Sequence, residues 1–423
     1  MKNPFRAIAQ SESLAIFRET EAFPLLCVQV FALHIGQNLI TPILPLYAQQ
    51  FAIGTTLVGF LIAIQGTARI FANLPAGRLA DRVGANRLLA AAAWIATAAA
   101  LVGGLAPTYS VLLLSRLVQG VASAISQTAG LTYTANISGP EKRGRYLSVF
   151  QGFFLLGNSI GPIIGGYVAQ FLGYRAPFFL FAILTLLVGI WMWVRLPNPR
   201  EQAAPVAAKE SRPHPGFLIT LRSMLSKPGV VLVSLIGLSA AYTRAGTRNM
   251  AVPLLGADIG LSEGEIGLML TIIFIATVCA VFIAGTLSDH IGPKRIITPS
   301  WMVLTLGMVI LALASGYWSF TAGAIVFGLA SGLSSPIPIT YISKSVDEDS
   351  QGMALGLYRT FNDVGLIFGP IVMGWVADLR DIPAGVMVNA GLVLFVAAIF
   401  FVLAPPTEEE RLRQTQRQNV PLE

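Results

Sequence analysis

The stretch GRLADRVGANR at residues 77–87 returns as GTLSDHIGPKR at residues 285–295, and this repetition decides the fold. Each copy packs glycines, one acid and several basic side chains into a short turn set between long apolar runs. Such runs match the roughly 20 apolar residues that a helix needs to cross a bilayer. Composition agrees: of 423 residues, 54% are hydrophobic and 12% charged, against about 25% charged in a soluble globular chain. A soluble enzyme is excluded. Cys27 and Cys279 both sit inside apolar stretches and read as small core residues, so neither a disulfide framework nor a cysteine metal site is indicated.

Working outward from the repeated turn, an offset of 208 carries one half of the chain onto the other. It pairs Pro45 with Pro253, Gly59 with Gly267, Asp81 with Asp289, Gly84 with Gly292 and Arg87 with Arg295. It then continues without a gap through Gly120 and Gly328, Gly157 and Gly365, Gly161 and Gly369, Pro162 and Pro370, and Gly166 and Gly374. Coincidence among glycine-rich helices does not readily maintain one register over about 120 residues, acid and base included. Apolar runs predict spans at 24–48, 55–77, 88–106, 109–136, 146–172 and 176–196, then at 228–257, 263–286, 296–315, 318–343, 352–377 and 383–404. The expected fold is therefore an all-α integral membrane protein of twelve transmembrane helices in two pseudo-symmetric six-helix bundles, 24–196 and 228–404. Residues 1–23, 197–227 and 405–423 form an N-terminal segment, a linker and a tail, all cytoplasmic.

Orientation follows from basic residues. Lys2, Arg6, Arg18, Arg78, Arg82, Arg87, Lys142, Arg143 and Arg145 fall on one side, whereas the other has only Arg175 and Arg380. Because Lys and Arg accumulate in cytoplasmic loops, both termini are expected in the cytoplasm of a multi-pass cell-membrane protein. The first 23 residues lack the apolar core and cleavage site of a removable signal peptide. The net charge of +7 does not indicate nucleic acid: the basic linker, with Pro197, Pro199, Pro205, Pro213 and Pro215, holds a single aromatic, Phe217, and so lacks aromatic interleaving.

The loop 77–87 and its echo resemble the cytoplasmic loop motif of the major facilitator superfamily. Gly77 and Gly84 permit a tight turn between the second and third spans. Asp81, like Asp289 in the second copy, can pair with arginines such as Arg82 and Arg87 or sit against a positive helix N-terminus. The resemblance makes that neighbour the eleventh span; a solvated turn that only sets topology is the alternative. Arg116-Leu117-Val118-Gln119-Gly120 is similar to the Arg-x-x-Gln-Gly motif of proton-coupled members. Gly157, Gly161, Pro162, Gly165 and Gly166 resemble the signature of twelve-helix drug/proton antiporters, and together the resemblance covers nearly the whole chain. Small residues at this spacing let helices approach closely and, with the bend at Pro162, suit a pivot. Close packing unrelated to transport direction is the other reading, and the repeat of these glycines in the eleventh span favours neither.

Charges inside a span are functional candidates by default. At 1.5 Å per residue Asp363 lies about 16 Å into the eleventh span, with Arg359 one turn earlier. The two form either a neutralised internal pair or one whose acid exchanges its partner for a proton. The resemblance gives Arg116 a proton-relay or charge-balancing role; snorkelling to the outer interface is the alternative. His34 either titrates near neutral pH or is a hydrogen-bonded core residue. Arg244 and Arg248, one turn apart in the seventh span, invite an anionic or strongly polar group, or else anchor Asp258 or headgroups. Gln37, Gln151 and Asn158 are candidates for a polar cavity, and Tyr242 and Phe361 for aromatic walls. The first six spans hold no acid in mid-span, which disfavours a cationic substrate.

The function expected is secondary active transport by alternating access, with the site near the bilayer midplane. Proton-coupled export of a small amphiphilic or organic molecule, drug-like, lipid-like or anionic, is the first expectation. Uptake or facilitated diffusion of an organic anion or lipid-like solute, and a non-transporting sensor, are the alternatives. A phosphate-binding Gly-x-x-x-x-Gly-Lys loop does not occur, so direct ATP drive is not indicated; the resemblance implies the proton gradient as energy source, with no cofactor or metal expected. Paired catalytic carboxylates do not occur, and no strand precedes a serine to form a nucleophile elbow, so the chain does not read as an enzyme. Its partners are a small-molecule substrate and the lipid bilayer, and it is expected to work as a monomer.

Overall fold

A computed structural model describes residues 17, 20–139, 142–196, 223–291, 293–346 and 348–405. The N-terminal segment apart from a few residues, most of the linker and most of the tail lie outside the described residues. Twelve helical stretches among those described are long and apolar enough to cross a membrane. Helices are what lipid demands, since each backbone N–H and C=O must then be satisfied within its own segment. Large apolar side chains such as Phe71, Phe171 and Trp318 remain exposed, as a lipid-facing surface requires.

Three of the twelve spans depart from unbroken α-helix. The first is α1 (Ala22–Ile40) and α2 (Leu44–Gln49), interrupted at 41–43, where Pro42 and Pro45 remove backbone donors. The seventh is α8 (Pro228–Thr243), a π-helical segment (Arg244–Ala251) and α9 (Val252–Asp258). The tenth is α12 (Tyr317–Ser334) and α13 (Ile337–Ser345), broken at Pro336. The others are α3 (Thr55–Val83), α4 (Ala85–Gly104), α5 (Tyr109–Ile137), α6 (Arg143–Leu172), α7 (Ala176–Arg195), α10 (Glu263–Ile291), α11 (Pro293–Ala312), α14 (Glu348–Leu379) and α15 (Ile382–Leu403).

The turn after the second span differs from expectation. Helix α3 runs straight through Gly77 and stops only at Val83, so a single glycine makes the turn. Gly84 has φ 100°, ψ 135°, a conformation closed to most side chains, and serves as the N-cap position of α4. Gly77 is helical, and a Cβ there would meet nothing closer than 3.9 Å. Arg82 and Arg87 are exposed. The side chains of Asp81 and Asp289 lie outside the described residues.

The chain forms two compact units. The first comprises residues 1–51, 64–208 and 263–268, and the second residues 52–63, 209–262 and 269–423. The first turns of α3 thus cluster with the second unit, and the first turns of α10 with the first. In the first unit α1 packs chiefly on α6, and in the second α8 packs on α14. The glycines of α6 create the first of these crossings: a Cβ on Gly165 would overlap the Leu39 carbonyl of α1, and one on Gly161 would crowd Asn38. At the matching crossing of the second unit, Gly365 and Gly369 lie against the backbone of Leu238 and Tyr242.

In each unit a helix start is fastened to a helix end, and the two contacts are related. In the second, the Thr55 and Thr56 N–H groups donate to Asp378 Oδ1 and Oδ2 at 2.6 and 2.8 Å, and both hydroxyls add bonds of 2.6 and 2.5 Å. In the first, the Gly264 N–H donates to Gln170 Oε1 at 3.2 Å. The offset that relates the halves also relates Gln170 to Asp378 and Thr56 to Gly264. One latch is therefore a carboxylate holding four donors, and its counterpart is a neutral amide.

Gly165→Ala is expected to lower stability by about 1–3 kcal/mol, because backbone stands where the methyl would go. Gly152→Ala, with open space around its Cβ, should be neutral or slightly stabilising. Thermal unfolding midpoints of the two variants in detergent check the contrast; equal shifts would separate the glycine run from helix packing.

Candidate functional site

In the first unit the polar side chains gather around Arg116 and His34. Arg116 is 5% exposed, so it does not snorkel. Its Nη1 donates to Gln119 Oε1 and its Nη2 to Gln65 Oε1. The glycine of the motif explains the second bond: a Cβ on Gly120 would overlap the Gln65 carbonyl, so only glycine lets α5 come close enough to α3 for this reach. Arg116 Nε and Gln119 Nε2 are buried with no hydrogen-bond partner among the described residues. The hydrogen bonds described for Arg116 go to neutral amides.

His34 is buried; its Nδ1 donates to Val30 O at 2.8 Å, and its ring lies 4.3 Å from that of Phe154. One turn further, Asn38 Nδ2 donates to His34 O at 2.9 Å and to Asn158 Oδ1 at 2.6 Å, tying α1 to α6. Gln29 Nε2 reaches Ser126 Oγ at 2.5 Å. Gln37 is half-buried, whereas Gln151 is exposed.

In the second unit the site centres on the π-helical segment. Its i→i+5 bonding is visible at its end, where the Val252 N–H donates to Thr247 O. Arg244 Nη2 donates to Asn362 Oδ1 at 3.1 Å, and Asn362 Nδ2 donates to Gly237 O at 3.2 Å, which sets the amide with its oxygen toward the guanidinium. Arg248 Nε donates to Asn249 Oδ1 at 3.0 Å, and its Cζ stands 4.4 Å from the centroid of the Phe274 ring. Arg248 thus rests on Asn249 and Phe274 rather than on Asp258. Asp363 is half-buried beside Asn362, and Arg359, one turn earlier on α14, is exposed. Tyr242 is buried at the crossing of α8 and α14, and Phe361 is half-buried.

Asn389 escaped the sequence reading. It is 0% exposed on α15, donates through Nδ2 to Thr247 Oγ1 at 2.7 Å and accepts from the Thr243 hydroxyl at 3.2 Å. It therefore fastens the π-helical segment to the twelfth span. An amide in an otherwise apolar span is the signal that marks it. Asp378 and Gln170 also escaped, although the repeat register pairs them.

The sequence profile of the Major Facilitator Superfamily matches residues 26–247 and 235–423. The chain belongs to the major facilitator superfamily. It resembles the drug/proton antiporter subfamily within it. Multidrug resistance protein 2 of Bacillus subtilis is 24% identical over 381 residues, 86% of this chain and 91% of that protein. Quinolone resistance protein NorA of Staphylococcus aureus is 23% identical over 388 residues, 91% and 96% of the two chains. A crystal structure of a bacterial homolog to the human lysosomal transporter Spinster, inward-facing and unoccupied, superposes with a TM-score of 0.78 at 14% identity, covering 91% of this chain and 96% of that one. Nucleoside transporter NupG superposes at 0.74 with 16% identity, covering 90% and 99%. These two share the fold. The protein is a transporter, not an enzyme: a multi-pass plasma-membrane member of the superfamily acting on a small molecule.

Replacing Asn389 with Leu keeps the volume but strands the Thr243 hydroxyl without its acceptor and removes the donor to Thr247. Each buried polar group so stranded costs about 1–3 kcal/mol, and the unfolding midpoint in detergent should fall accordingly. A variant with the parent's midpoint would show that Asn389 does not secure the π-helical segment.

Proposed function

We propose that this transporter exports an organic amphiphile in exchange for protons, by alternating access. The observation that carries the reading is Asp363, a half-buried acid deep in α14 beside the amide that holds Arg244. A carboxyl group can hold a proton or release it, so a substrate-linked change in its surroundings changes its proton occupancy. The likeness to multidrug and quinolone resistance proteins supports the outward direction. Both termini face the cytoplasm in this reading, on the strength of the Lys and Arg bias between loops.

Arg116, buried among Gln65 and Gln119, balances charge in the first unit while Asp363 takes and releases the proton in the second. His34 is the further titratable group of the coupling path. Gln37, Gln151, Asn158, Tyr242, Arg359 and Phe361 supply polar and aromatic contacts for the substrate together with Arg244 and Arg248. The loop 77–87, with Asp289 in its echo, and the glycines of α6 act as the conformational gate. One proton entering down 100 mV releases about 2.3 kcal/mol, enough for roughly a 50-fold gradient of a neutral solute.

Purified protein in liposomes, given an imposed pH gradient and a panel of anionic, neutral and cationic amphiphiles, tests the coupling. Asp363→Asn should abolish proton-driven accumulation while leaving exchange down a substrate gradient. Arg116→Lys, which keeps the charge but loses the planar fork, should slow driven flux about ten-fold. Parent rates in both variants under the same gradient would overturn proton coupling through these residues.

A further inference from the structure

We propose that the π-helical segment of the seventh span is the seat for the anionic head of the substrate, an organic acid carried on an apolar aromatic body. The inference rests on the transport reading above and names the substrate class for it. The seat is built rather than incidental. A π-segment inside an α-helical span breaks the regular i→i+4 pattern, and such segments concentrate at functional sites. Here it is secured from outside by the fully buried Asn389, bonded to Thr243 just before the segment and Thr247 within it. It presents two guanidiniums, Arg244 and Arg248, both half-buried.

Arg248 carries the argument. Its hydrogen bond goes to a neutral amide, Asn249, and its guanidinium lies on the neutral face of Phe274. These contacts orient the fork and soften its desolvation without cancelling its charge. A cation held in this way at membrane depth calls for an anion. Asp363 is the acid in the middle of the neighbouring α14, and one carboxylate does not offset two guanidiniums. A carboxylate or sulfonate bound across the terminal nitrogens of Arg248 supplies the missing charge with bidentate geometry. Its aromatic body then lies beside Phe274. Such an anion also leaves the cell down an inside-negative potential, in keeping with export.

The test uses three probes with one body: 1-pyrenebutyric acid, its uncharged amide, and 1-pyrenebutylamine, bound to the purified full-length protein in detergent at fixed pH and followed by fluorescence. The acid should bind about ten-fold or more tightly than the amide, and the amine least. Arg248→Gln should weaken the acid about ten-fold while the amide changes less than two-fold. Arg248→Lys keeps the charge and serves if the Gln variant does not fold; it should retain a preference for the acid, reduced by loss of the fork. Phe274→Leu should weaken all three probes. No binding of the acid by the parent, no preference for acid over amide, or equal loss of both in Arg248→Gln would overturn the seat. Proton-driven flux of the same probes in liposomes is read separately: a parent that binds the acid selectively but never moves it against its gradient overturns export while the seat stands, and the reverse result overturns only the seat.

Discussion

In hydrocarbon no water is available to a stranded N–H or C=O, and the rest of this structure follows from that constraint. It requires helices, and it makes every interruption of a helix costly unless something nearby takes over the lost bonds. The interruptions at 41–43, at 244–251 and at 335–336 are therefore informative. Two coincide with prolines. The third has no proline within it, contains two arginines, and is held by an amide from the twelfth span. An interruption maintained by a buried side chain rather than by a ring depends on the tertiary structure.

Buried charge follows the same economy. Arg116 is buried in the first unit, and its described hydrogen bonds are to the amides of Gln65 and Gln119. Arg248 in the second has one amide and one ring. Neutral partners satisfy the directionality of a guanidinium and leave its charge available. Such sites suit a transporter that must meet and release a charged or polar partner in each cycle.

The duplication supplies a frame in which differences between the halves stand out. Glycines at matched positions bring α6 onto α1 and α14 onto α8 by the same backbone contact. The helix-end latches occupy matched positions too, but Asp378 holds four donors where Gln170 holds one. Symmetry thus preserves packing, whereas the chemistry of the two units has diverged, with the π-helical arginines in one and the arginine–glutamine cluster in the other.

The sequence by itself determined the twelve spans, the two-fold repeat and the family, because hydrophobic length, repeat register and loop charge are written in local order. It also marked Arg116, Arg244, Arg248 and Asp363, because a charge in an apolar run is conspicuous wherever the chain folds. Only the tertiary structure decided the partners. That Gln65 meets Arg116 depends on Gly120 admitting a neighbouring helix, and that Asn389 secures the seventh span depends on residues 142 positions away in sequence. The helix through Gly77, with its turn left to Gly84 alone, was also decided there. Spacing along a helix places side chains on one face, but which of them shares a buried environment is set by what the neighbouring helices bring against it.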